Sequence, residues 1–169
     1  MVVMEEVLMD NGTKLYMKQK VFSWVDEFTI KDAYGEDKYF VRGEFFSLGK
    51  KLHVYDRTGR EVAMVHQQVF SLMPRFFVYV NGEKVAEVVK EFTFFYPKYR
   101  IEGPDWIIDG DFWDHVYDIT CHGGTVVSVA KEWMTWGDCY ELDIEHPKDE
   151  IMALAMVLCI DCVIEAQRD

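Results

Sequence analysis

The side chains in this chain best able to do chemistry are thiols, imidazoles and carboxylates, and their spacing limits what they can do. Cys159-Ile160-Asp161-Cys162 spells a C-x-x-C. Redox pairs of this type rely on a helix N-terminus, whose dipole lowers the thiol pKa. Here both thiols lie near the C-terminal end of an apolar stretch, which favours inert, buried cysteine. Cys121, His122 and Cys139 offer further zinc-type ligands, but their spacings match no zinc pattern. The histidines, His53, His66, His115, His122 and His146, fall in expected strands or turns without a nucleophile elbow. His115 follows Asp114 and His122 follows Cys121, yet adjacent strand residues point to opposite faces and cannot pair. No phosphate-cradling glycine loop is present. The sequence therefore reads as a non-enzymatic protein, with no catalytic residue, metal or cofactor to assign.

Three groups stay in play. The first is the acidic run Asp105, Asp109, Asp111 and Asp114, whose oxygens could collect a hard cation. It departs from the EF-hand pattern, because Gly110 is misplaced and the closing Glu is missing; a solvated acidic loop is the simpler reading. The second is Asp161, a lone carboxylate near the C-terminal end of an apolar helix, where both dipole and burial oppose it. It is expected as a core polar residue, accepting backbone hydrogen bonds or pairing with a base. A carboxylate serving a cavity is the sharper alternative. The third is Phe94-Phe95-Tyr96 beside Lys98 and Arg100. Rings with basic neighbours suit a lipid headgroup layer or a partner protein. These five residues are the candidate binding surface.

Composition narrows the partners. The chain has 169 residues, 18 Lys and Arg against 30 Asp and Glu, and a net charge of −12. That length suits one domain spanning 1–169, and a half-hydrophobic composition excludes global disorder. No Lys or Arg occurs from Ile101 to Ala130. A net-acidic chain without a basic helix or an aromatic–basic RNA motif is not expected to bind nucleic acid. Residues 1–10 hold Glu5 and Glu6 and no positive charge, unlike a signal peptide. A cytoplasmic location with reduced thiols is the expectation.

These groups must be positioned by two kinds of element. From Ile151 to Ile164 the only polar side chain is Asp161, so a helix there has no water-facing side and must be enclosed. Its fourteen residues cover ~21 Å against a ~30 Å hydrocarbon core, which favours a protein core over a transmembrane span. Pro147 suits its first turn, and Asp149 and Glu150 suit its positive end. Upstream, the chain reads as short β-runs, including Leu15 to Phe22, Phe28 to Lys31, Lys38 to Arg42 and Leu52 to Tyr55. Tyr140, Leu142 and Ile144 alternate with acids as a half-wet strand does. Turn signals fall at Asp32–Gly35, Asp56–Gly59, Asn81-Gly82 and His122–Gly124. A Gly followed six residues later by Val recurs at Gly35/Val41, Gly59/Val65, Gly82/Val88 and Gly123/Val129. Such units suggest stacked hairpins that close around the helix.

Several segments resemble the LURP-one-related family, including its bacterial YxjI-like members. They are the run from Leu15 to Trp24, the Asp56-Arg57-Thr58-Gly59 turn, the stretch from Lys131 through Trp133, Trp136, Gly137 and Asp138 to Tyr140, and the final helix with Asp161. The similarity covers roughly residues 13–166, and the family is similar in fold to the tubby C-terminal domain and phospholipid scramblases. The resemblance implies a mainly β fold, a closed antiparallel β-barrel of about twelve strands enclosing a hydrophobic C-terminal α-helix. The barrel is expected over 13–145 and the central helix over 148–166, with 1–12 a flexible arm. No catalytic motif comes with it; the acidic C-terminal third argues against a simple transfer of tubby's basic phosphoinositide site, and the scramblase cysteine-rich segment has no counterpart. The functional expectation is a binding or scaffold protein of unknown ligand, associated peripherally with a membrane or with a partner protein. Homo-oligomeric docking and a cavity ligand or enzyme role for Asp161 are the alternatives.

Overall fold

The computed structural model describes residues 12–18, 27–44, 48–95, 98–111, 114–135 and 137–166. Twelve strands precede one helix: β1 Thr13–Lys18, β2 Glu27–Asp32, β3 Asp37–Glu44, β4 Lys51–Asp56, β5 Glu61–Gln67, β6 Arg75–Val80, β7 Glu83–Glu91, β8 Lys98–Glu102, β9 Trp106–Asp111, β10 Val116–Cys121, β11 Gly124–Met134 and β12 Gly137–Ile144. A short 3-10 turn, Pro147–Asp149, leads into α1, Glu150–Glu165. The twelve-stranded, helix-containing architecture expected above is the one observed.

All pairings are antiparallel, and each strand lies beside its sequence neighbour except at one place. β1 closes the wall against β12, with Leu15 opposite Leu142 and Met17 opposite Tyr140. β8 and β9 end the sheet order, so the nearly closed barrel has its seam between them. Strand alternation turns one set of side chains inward. Leu15, Ile30, Val41, Val54, Phe76, Val78, Val88, Ile119, Leu142 and Ile144 are all fully buried. They meet a helix that is itself enclosed from Ala153 to Ile164. Its lack of a polar stripe is thus explained: every side of it faces wall.

The meander sorts its connections alternately to two mouths. At one mouth sit tight hairpins. Asp32 and Asp56 each fold their carboxylate back onto the two amides that follow, Tyr34 and Glu36 in the first case, Thr58 and Arg60 in the second. Asn81-Gly82 has φ of 49° and 82°, and His122-Gly123 has 48° and 81°, the left-handed pair that a two-residue hairpin demands. The helix enters at this mouth. Glu150 is buried there, bonded to Tyr39 Oη at 2.5 Å and to Lys38 Nζ at 2.7 Å. That contact offsets the cost of burying the carboxylate. The longer connections gather at the other mouth, where the helix ends.

Candidate binding surface at the far mouth

The connections at the far mouth are built from unlike material. Leu48 and Gly49 lead into β4; Gln68 to Pro74 join β5 to β6; Phe92 to Phe95 follow β7. Gln68 to Pro74 and Phe92 to Phe95 carry no charge, although Lys50 precedes β4 and Asp114 precedes β10; the near-mouth turns hold Glu36, Arg57, Arg60 and Asp105. The loops also hold apolar side chains out to water. Phe70 is 89% exposed, Leu72 100%, Phe94 85% and Phe95 91%, joined by Leu48, Val69 and Phe92. Phe92 and Phe94 meet edge to face at 5.2 Å. Exposed apolar side chains at this density on one end of a molecule make it a candidate interaction surface.

Basic residues stand at the stems. Lys98 opens β8, and Lys90 lies near the end of β7 opposite Tyr99. Lys18 ends β1 at the same mouth. Among the described residues none of these three lysines has a carboxylate within ion-pair distance. Glu91 faces Lys98 in register, but its carboxylate turns to Arg100 at 3.5 Å. Arg100 is also held by Glu102 at 2.6 Å, and these acids raise its pKa further. Of the five residues singled out in the sequence, Phe94 and Phe95 thus sit exposed in the loop. Lys98 and Arg100 sit on the following strand, and Tyr96 lies outside the described residues. Phe70, Leu48 and Leu72 are not among the residues singled out in the sequence. The uncharged run from Gln68 to Pro74 carries the signal, but only strand parity shows that these residues share a mouth.

Asp161 lies beneath this mouth. It is 2% exposed, and His115 Nε2 approaches its Oδ1 at 3.2 Å. The approach is ion-pair close but not aligned as a full hydrogen bond, and neither carboxylate oxygen has a well-oriented donor among the described residues. Burial accordingly raises the Asp161 pKa, with the imidazole opposing it only in part. His115 is itself placed by the β9–β10 corner, where it takes φ of 55° and stacks on Tyr140 at 4.5 Å. The basic partner expected for Asp161 is therefore a histidine, from a corner that the sequence reading took as strand. Burial also pushes the Cys162 thiol up to about 12 and the Cys159 thiol upward, so both stay protonated at neutral pH.

The remaining groups are dispersed. Asp109 and Asp111 are exposed on β9, and Asp111 Oδ1 accepts the Asp114 N–H at 3.1 Å. Asp105 meets His122 at 3.3 Å. His53 is gripped between Glu44 and Glu61, each at 2.7 Å. Among the described residues no three metal-type ligands converge, and no helix is long and apolar enough to cross a membrane.

Comparison with known proteins places this arrangement. The LURP-one-related family profile matches residues 13–161. The chain belongs to the LURP-one-related family. It is 38% identical over 156 residues to the uncharacterized protein YxjI of Bacillus subtilis (strain 168), covering 92% of this chain and 96% of that protein. A crystal structure of an Arabidopsis thaliana protein shares the fold, with a TM-score of 0.61, 14% identity, and coverage of 90% of this chain and 91% of that one. The LURP-one-related match ends at Asp161, so it takes in both the far-mouth loops and the buried carboxylate.

Proposed function

We propose that this barrel is a non-enzymatic binding protein that docks peripherally on a lipid bilayer through its far mouth. One observation carries the reading. The described connections Gln68 to Pro74 and Phe92 to Phe95 carry no charge, and that mouth presents Leu48, Phe70, Leu72, Phe92, Phe94 and Phe95 to water. Apolar rings presented from a rigid rim can enter the headgroup layer without any change of fold. Lys18, Lys90 and Lys98 then stand where phosphate groups lie, and the near mouth, with charged turns of both signs, faces away. Hydrophobic insertion supplies the affinity, and the lysines add preference for anionic lipid.

Flotation of the whole protein with phosphatidylcholine vesicles, and with vesicles containing phosphatidylglycerol, tests this. Binding to either that persists in high salt supports the reading, with stronger binding to the anionic vesicles at low salt. Absence from the vesicle fraction in both cases overturns it. Concentration-dependent dimerisation through the same loops, seen by light scattering without vesicle binding, would replace it with self-association.

A further inference from the structure

A second feature is independent of the mouth. β8 and β9 are consecutive, antiparallel, and joined only by Gly103, Pro104 and Asp105. Such neighbours ordinarily zip into a hairpin, but here no ladder joins them. The connection supplies a reason. Pro104 has no amide to donate, and Gly103, at φ of 115°, is pressed so close to β7 that an added Cβ would lie 2.5 Å from Val85 O. The strands leave this corner splayed, with a cleft of 490 Å³ between them lined by Ile101, Trp106 and Ile108 and also by Glu91, Arg100, Asp105 and His122.

Two strand edges face that cleft. On β7, Lys90 donates its N–H toward Pro74 on the β6 side. Antiparallel alternation therefore turns the peptide groups of Ile101, opposite Val88, away from β7 and toward the cleft. The tight turn at His122-Gly123 pairs Cys121 with Gly124, so Trp106, opposite Cys121, and Ile108 two residues on also turn theirs to the cleft. Backbone rows on both sides of a slot are a template for an extended chain.

We propose that the cleft between β8 and β9 takes one extended strand of a partner protein, added edge to edge. The added strand runs antiparallel to one neighbour and parallel to the other, since the two neighbours oppose each other. Its inward side chains are apolar, to match Ile101, Trp106 and Ile108. Its outward side chains are polar but uncharged. Glu91, Arg100, Asp105 and His122 bring side chains of both signs to the slot, so no single sign of charge is favoured on the added strand.

The test uses the full chain and a short synthetic peptide of alternating valine and threonine, with the same peptide N-methylated at alternate residues as a control. Amide hydrogen exchange at Ile101, Trp106 and Ile108 is read with and without peptide. Fast exchange in the free protein, slowed about tenfold or more by the plain peptide and not by the methylated one, is the expected result. Three outcomes overturn the proposal: these amides already protected in the free protein, which means the seam is shut on itself; equal effects of both peptides, which means side-chain adsorption; or no change at millimolar peptide.

Discussion

The central helix can be tested by removing it. Leu154, Met156, Val157, Leu158, Ile160, Val163 and Ile164 are each no more than 2% exposed. At ~1.5–3 kcal/mol for each large apolar side chain buried, these seven positions contribute roughly 10–20 kcal/mol, as an upper estimate. A typical domain is stable by only about 5–15 kcal/mol. A chain ending at Glu145 loses that contribution and also exposes the wall residues that faced it, so it should fail to fold. A milder perturbation gives a graded reading. Leu158→Ala in the enclosed helix should cost about 2.7–5.0 kcal/mol, which lowers the melting midpoint by roughly 5–20 °C in a chain of this size. Urea unfolding followed by tryptophan fluorescence and far-ultraviolet circular dichroism reads both. Cooperative melting of a soluble monomeric chain ending at Glu145, or a Leu158→Ala cost below about 0.5 kcal/mol, would refute the plug.

Replacing Phe94 and Phe95 by serine removes two exposed rings, each worth ~1.5 kcal/mol or more on insertion; vesicle affinity should fall on the order of a hundredfold while the melting temperature stays put, and unaltered flotation counts against the mouth as a docking surface. The raised pKa of Asp161 gives a stabilising contribution that is full below the unfolded value near ~3.9 and lost as pH rises through the higher folded pKa. Asp161→Asn cannot ionise, so its stability relative to the parent should climb from pH 4 to pH 8 in urea titrations; parallel pH profiles would contradict that account. Gly110 takes φ of 132°, and an added Cβ would lie 2.7 Å from the Tyr117 backbone, so Gly110→Ala should cost about 1–3 kcal/mol or more, read by the same titrations. With a thiol reagent at neutral pH, the half-buried Cys121 should react in the native state, whereas Cys159 and Cys162 should react only on unfolding, as timed labelling and mass spectrometry would show.

Where local chemistry decides structure, the sequence was readable. The helix was evident because no face of Ile151–Ile164 could meet water, and the turns at Asp32–Gly35, Asp56–Gly59 and Asn81-Gly82 were evident because few other residues fit them. Phe76 and Phe77 show the next level. Adjacent strand residues must part company, yet only the register shows that Phe76 is the one fully inside while Phe77 lies beneath Lys84 Nζ at 4.1 Å. The candidate surface required still more. Phe70 and Leu72 are far from Phe94 in sequence, and their shared mouth follows from counting strands, which no local pattern supplies. The contact of His115 with Asp161 was hidden for a similar reason. It spans the chain from a corner to the final helix and depends on a positive φ at a residue that did not announce one.

The order of the elements adds a last consequence. The helix follows all twelve strands along the described chain, and β1 takes β12, the strand farthest from it in sequence, as its second neighbour. Every hairpin formed before the helix docks exposes apolar inner faces. Wall and plug must therefore form together, and a chain without the helix leaves those faces open to chaperones and proteases.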